Sequence, residues 1–257
     1  MNELSPVTLG TMRFLDKGLS VADVEKLLDF SYHQGITSLH LSPEYASYEL
    51  VKSARRKNEH AFMVKIPAPH FDEESFNKRA LFKRVDDFLT DFKINCIDVA
   101  QWMWRTTPLD EDKKIERTRE SLNEMRRAFD ALLASGKVRA FSCFPYTARY
   151  MHFVDEMQLI KSQTNYLNFW EDDLYQGGIS ENSIVLRPLA SGRFRSLPVA
   201  GEKKQLSYCI NYALSHPHIQ SAVISMHDRV QVKEIADMAS AVQKSEVVFR
   251  SYREMIQ

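Results

Sequence analysis

Cysteine is scarce in this sequence: Cys96, Cys143 and Cys209 are the only three in 257 residues. They are odd in number, far apart and without CxxC spacing, so neither a disulfide framework nor a zinc site is expected. Reduced, buried thiols in a cytoplasmic protein are the simplest reading. Excess charge is lacking too: 34 Lys and Arg balance 34 Asp and Glu. No global field therefore favours nucleic acid or an anionic membrane as partner. There is no apolar run of about 18 residues to span a bilayer. The first residues lack the basic and apolar regions of a signal peptide. No G-x-G-x-x-G follows a strand-like run, so a Rossmann dinucleotide site has no support. No HxxxH or HxH pair of histidines falls on one strand-like or helical stretch, and no metal is expected.

What is present is a rhythm of apolar strands and amphipathic helices. The 44% hydrophobic content suffices for a large core. Pro6–Phe14 opens with a short strand. Ser20, with Asp23 three residues on, reads as an N-cap. The apolar residues Val21, Val24, Leu27, Leu28 and Tyr32 then recur at helical spacing, and Gly35 ends the helix. The stretch Gly35–Tyr45 follows as a buried strand that delivers His40, Glu44 and Tyr45 into a loop. Ser47–Lys57 reads as a helix. Ala61–Ile66 is a strand interrupted by Lys65, and Glu73–Phe92 is helical. Cys96–Trp102 is the fourth strand. Met103–Glu116 is polar and contains a proline, so it reads as a loop, with Asp110–Lys114 a solvated charge run. Helix Arg117–Ser135, strand Val138–Cys143, a helix from Thr147 and strand Leu159–Thr164 come next. After irregular residues 165–182 come strand Ile184–Leu186, helix Gln205–Ser215, strand Ala222–Ile224, a helix from Arg229 and a last helical piece, Val247–Met255. Eight strand–helix steps without a low-complexity linker predict one α/β domain over 1–257, a (β/α)8 TIM barrel with trimmed loops.

Several segments, in chain order, resemble the aldo-keto reductase superfamily. They are Leu9–Phe14, Gly35-Ile36-Thr37, Pro43–Glu49, Gly136–Ala140, Gln163-Thr164-Asn165-Tyr166, Arg187–Gly192 and Ile224–Glu234. The resemblance implies NADP(H) and reduction of a small-molecule carbonyl to an alcohol by an Asp, Tyr, Lys and His tetrad. Tyr45 and Lys65 match two of the four. His40 stands in place of the aspartate and Met103 in place of the histidine. The nicotinamide-amide pair Ser-Asn is replaced by Phe144 and Pro145. The resemblance places Gln163, Arg187, Leu189, Ser225, His227, Arg229 and Lys233 around the cofactor, with His227, Arg229 and Lys233 able to meet a 2′-phosphate.

A phenol of ordinary pKa near ~10 donates a proton at neutral pH when an adjacent ammonium stabilises its anion. Tyr45 with Lys65 supplies that pair, and His40 adds a third polar group at the strand end. Without the aspartate, Lys65 lacks its usual counter-charge. Glu44 is a substitute for it by sequence distance, though its setting reads as solvated loop. Met103 has no strong donor. Losing one hydrogen-bonding catalytic group costs about 100- to 1000-fold in rate, so weakened chemistry is expected. Trp102, Met103, Trp104 and Arg105 are candidate pocket walls, with Arg105 able to grasp an anion. Two further readings stand beside the reductase. One is a catalytically inactive barrel serving as ligand-binding, regulatory or scaffold protein. The other is a lyase or isomerase holding phosphate through Arg187 and Arg193.

Overall fold

The computed structural model describes residues 4–54, 59–66, 76–102, 111–144 and 147–254. Eight parallel strands close into a barrel in sequence order. They are β1 (Val7–Gly10), β2 (Ser38–Leu41), β3 (Ala61–Lys65), β4 (Ile97–Trp102), β5 (Val138–Cys143), β6 (Ser162–Tyr166), β7 (Ser183–Leu186) and β8 (Ile219–Ile224). Closure comes from β1 on β8, where Leu9 lies opposite Ile224. The helices are α1 (Val21–His33), α2 (Tyr48–Ser53), α3 (Lys78–Phe92), α4 (Glu111–Ala134), α5 (Ala148–Glu156), α6 (Asp173–Gln176), α7 (Glu202–Leu214), α8 (Arg229–Ser240) and α9 (Glu246–Glu254). A 3-10 segment, Ala190–Ser196, precedes α7.

Local signals start and stop these elements as the sequence suggests. Ser20 caps α1, and the Asp23 carboxylate accepts from the Ser20 N–H at 3.0 Å, completing a capping box. Gly35 follows α1 at φ +81°, a conformation that favours glycine. The long helix departs from the reading above. It begins at Glu111 rather than Arg117, six residues into the presumed loop. Glu111 and Asp112 in its first turn oppose the positive end of the helix dipole. Nor is Lys114 solvated: it is 2% exposed, with Nζ 4.1 Å from the centre of the Tyr150 ring. β6 also begins later than expected, after Gln158 turns the chain at φ +51°.

The alternation of each strand sorts its residues between the barrel interior and the layer under the helices. Leu39, Leu41, Phe62, Val64, Ala100 and Trp102 join the large core between strands and helices. Ala61, Met63, Val99 and Ile184 form a smaller apolar cluster inside the barrel. Hydroxyls share that interior: Thr8 Oγ1 lies 2.8 Å from both Ser38 Oγ and Ser221 Oγ, and Ser142 Oγ meets Thr164 Oγ1. The next inward residues toward the C-terminal mouth are Gly10, His40, Lys65 and Gln101, two positions beyond Thr8, Ser38, Met63 and Val99. Barrel enzymes carry their sites at this end. Among the described residues, no helix is long and apolar enough to cross a membrane.

Candidate active site

At the C-terminal mouth lies a cavity of about 590 Å³, lined by residues that include His40, Tyr45, Lys65, Gln101, Phe144, Tyr166, Arg187, Leu189 and Ser225. Strand parity explains the convergence. His40 ends the inward face of β2, Lys65 that of β3, and Gln101 that of β4, with Lys65 opposite Gln101 in register. Tyr45 comes from the loop after β2. That loop is folded back by hydrogen bonds from the Tyr45 N–H to the Ser42 carbonyl and from Ser47 Oγ to the Thr11 carbonyl.

Lys65 has a carboxylate partner after all. Its Nζ donates to Glu44 Oε2 at 2.9 Å, and the two side chains are 14% and 28% exposed. Glu44 is exposed on its loop, as expected, and is paired there as well. The turn at Ser42–Tyr45 brings the carboxylate over the end of β3, where a half-desolvated ammonium holds it. The counter-charge missing at position 40 comes from four residues further along the chain.

His40 is 6% exposed, and its Nε2 lies 3.0 Å from Gln101 Oε1. Burial pushes its pKa down to about 4, and the positive charge of Lys65 adds to that direction against the Gln101 hydrogen bond. His40 is thus neutral at pH 7. Because a carbonyl oxygen only accepts, the ring proton sits on Nε2. The Tyr45 ring meets the His40 ring edge-on, with centroids 5.9 Å apart. Phe144 and Tyr166 form an aromatic wall, edge to face at 5.4 Å.

The loop after β7 forms the opposite wall. Arg187, Ala190 and Ser191 all have positive φ, of 54°, 45° and 55°. Three non-glycine residues in the left-handed region within five positions are costly, and such strain gathers at functional loops. Arg187 leans over the Tyr166 ring at 5.1 Å and pairs with Glu171 at 3.1 Å.

Among the described residues, the other expected site residues do not converge on the cavity. Gln163 lies opposite Cys143 in register, on the face of β6 that looks away from the barrel axis. Its neighbours Ser162 and Thr164 take the inward positions, bonded to Ser142. Gln163 is 1% exposed, and its amide has no hydrogen-bond partner among the described residues. Trp102 also faces outward. It is fully buried against Phe129 of α4, with ring centroids 5.8 Å apart, and does not wall the pocket. His227 sits beside Asp228 at 3.8 Å, off the cavity wall. Arg229 stacks on Phe30 at 5.4 Å, and Lys233 pairs with Asp237 one helical turn along α8 at 3.0 Å. Arg193 stacks on Trp170 at 5.1 Å, off the cavity wall. Met103, Trp104, Arg105 and Pro145 lie outside the described residues.

Gln101 was not among the expected site residues. One signal for it existed: a long polar side chain in an otherwise apolar strand end, on the same parity as Val99.

No protein-family model matches the sequence, and no curated protein matches it. Solved structures do. An aldo-keto reductase from Bacillus halodurans, described in its holo form, superposes with a TM-score of 0.69 at 16% identity, covering 98% of this chain and 92% of that one. A thermostable aldo-keto reductase in complex with the inhibitor epalrestat superposes with a TM-score of 0.68 at 14% identity, covering 97% of this chain and 94% of that one. The chain shares the (β/α)8 barrel fold of these two structures.

Proposed function

We propose that the protein is an aldo-keto-reductase-type oxidoreductase that reduces a small aldehyde or ketone to an alcohol with a nicotinamide dinucleotide. The observation that carries this reading is the convergence of Tyr45, Lys65 and His40 on one cavity, with Glu44 completing the charge pair at 2.9 Å. Tyr45 gives its phenolic proton to the carbonyl oxygen as the carbonyl carbon is reduced. The Lys65 ammonium stabilises the phenolate that remains. Glu44 holds the ammonium charged and aimed. His40, neutral, braces the Tyr45 ring and adds no positive charge that would disfavour Lys65.

When bound, the cofactor supplies the hydride. The residues present fit its flat nicotinamide end: Phe144 and Tyr166 offer aromatic faces, and the cavity has room for a ring beside a small carbonyl compound. For a 2′-phosphate, Lys233 and Arg229 lie off the cavity wall, the one beside Asp237 and the other on Phe30. NADP(H), the cofactor implied by the resemblance, is therefore proposed without strong preference over NAD(H).

The test is reduction of an aromatic aldehyde followed by cofactor fluorescence. Turnover that disappears in Tyr45→Phe supports the reading. A second reading, a ligand-binding barrel without turnover, draws on the outward-facing Gln163 and the apolar Phe144 at the nicotinamide-amide position. The absence of saturable NADPH or NADH binding at millimolar concentration would decide for it.

A further inference from the structure

Among the described residues, the cavity wall includes a buried polar group whose hydrogen-bonding capacity is left over. Gln101 is 1% exposed and forms part of the cavity wall. Its Oε1 is occupied by the Nε2–H of His40 at 3.0 Å. Its Nε2 has no hydrogen-bond partner among the described residues. Buried donors almost always find acceptors, so an unpaired one on a cavity wall points to an acceptor that a ligand brings. His40 cannot meet that ligand as a donor. A neutral imidazole has one N–H, and here Gln101 takes it.

The charges around the cavity narrow the class of ligand. Its described cationic side chains are Arg13, Lys65 and Arg187. Each already has a carboxylate: Asp16 at 2.7 Å, Glu44 at 2.9 Å and Glu171 at 3.1 Å. An anionic ligand would have to share one of these cations with the carboxylate already on it. An uncharged one would not, and would gain the aromatic faces of Phe144 and Tyr166.

We propose that Gln101 anchors the ligand: its Nε2–H donates to the carbonyl oxygen of an uncharged aldehyde or ketone lying against Phe144 and Tyr166. Position 101 comes two residues before position 103, to which the resemblance assigns the superfamily's histidine. The amide thus supplies from deeper in the barrel a donor that a methionine cannot. The inference rests on reading the cavity as a carbonyl site, but only on its binding half.

The experiment measures calorimetric binding of acetophenone and of its carboxylate analogue, 4-acetylbenzoate, to the cofactor-free protein. The wild type is expected to bind acetophenone saturably and 4-acetylbenzoate at least tenfold more weakly. Gln101→Leu removes the donor, and Gln101→Glu removes it while keeping an acceptor for His40. Both are expected to weaken acetophenone binding at least tenfold, with their fold checked by circular dichroism. In the wild type, but in neither variant, the carbonyl stretch of bound 13C-labelled acetophenone should show a hydrogen-bonded carbonyl. Wild-type affinity in Gln101→Glu would mean that Gln101 acts only through His40, and would overturn the proposal. So would tighter binding of 4-acetylbenzoate, or no saturable binding of acetophenone to the wild type. If binding depends on Gln101 but NADPH and NADH give no reduction, the reductase reading falls and this one stands. If acetophenone is reduced with a KM that Gln101→Leu leaves unchanged, the reverse holds.

Discussion

Lys65 and Glu44 stand 2.9 Å apart at the barrel mouth, one from the end of β3 and the other from the loop after β2. The ammonium keeps a carboxylate beside it although the strand position that would normally provide one holds His40. Glu44 is adjacent in sequence to Tyr45, so the turn that presents the phenol also presents the counter-charge.

Glu44→Gln keeps the shape of the side chain and removes its charge. Removing one group of a polar catalytic unit costs about 100-fold or more when the group is fully desolvated. This pair is partly wet, so a fall in kcat of about 10- to 100-fold is expected. KM should change little, because Glu44 touches Lys65 rather than the substrate. Steady-state kinetics on an aromatic aldehyde check the split, and Glu44→Asp should recover part of the loss.

Tyr45→Phe removes the proton donor and leaves the ring that meets His40. Turnover should fall by at least about 100-fold. Cofactor fluorescence titration should give an unchanged Kd. A loss of cofactor affinity of the same size would show that the hydroxyl serves binding rather than proton transfer.

The buried His40 ties stability to pH. Its pKa falls from the ordinary 6.5 to about 4 in the folded chain. As pH drops below 6.5 the unfolded chain takes up a proton at this histidine and the folded chain does not. The contribution is complete above about pH 6.5 and is lost progressively down to about pH 4, amounting to roughly 3 kcal/mol. His216, whose pKa burial also lowers, acts in the same direction. The informative quantity is therefore the difference between wild type and His40→Gln in urea unfolding at pH 7 and pH 4.5. The wild type should lose more stability over that interval, and equal losses would contradict the assignment.

Discrimination between NADPH and NADH should be weak, within about tenfold. One well-placed cation on a phosphate would give more than that, and Lys233 is already held by Asp237. Lys233→Ala should leave the Kd for NADPH within about twofold. A large loss of NADPH affinity alone would show that the lysine turns toward the cofactor.

Trp102→Phe tests whether this side chain belongs to the core. The indole is fully buried against Phe129 under α4. Thinning it should lower the melting temperature by several degrees, as substitutions in a packed core do. KM for the aldehyde should stay the same, whereas a pocket-wall residue would change KM first.

The chain's own periodicity determined the architecture. Strands such as Ala61–Lys65 and helices such as Val21–His33 carry their burial pattern and caps locally, and capping boxes and left-handed glycines depend on neighbours a few residues away. The place of Tyr45, Lys65 and His40 at the barrel mouth was legible for the same reason: each lies at the end of a strand, or just after one, on the face where barrels place chemistry. Facing and partnership were not legible. A one-residue shift in the register of β6 against β5 would turn Gln163 to the other face, because side chains alternate with period two. Trp102 looked like a mouth residue by position and is a core residue by parity. Glu44 beside Lys65, and Gln101 beside His40, are contacts between residues 21 and 61 positions apart. Parallel pairing of β2 with β3 and of β3 with β4 brings these residues to one mouth, so the tertiary structure alone decided what neutralises the lysine and what fixes the imidazole.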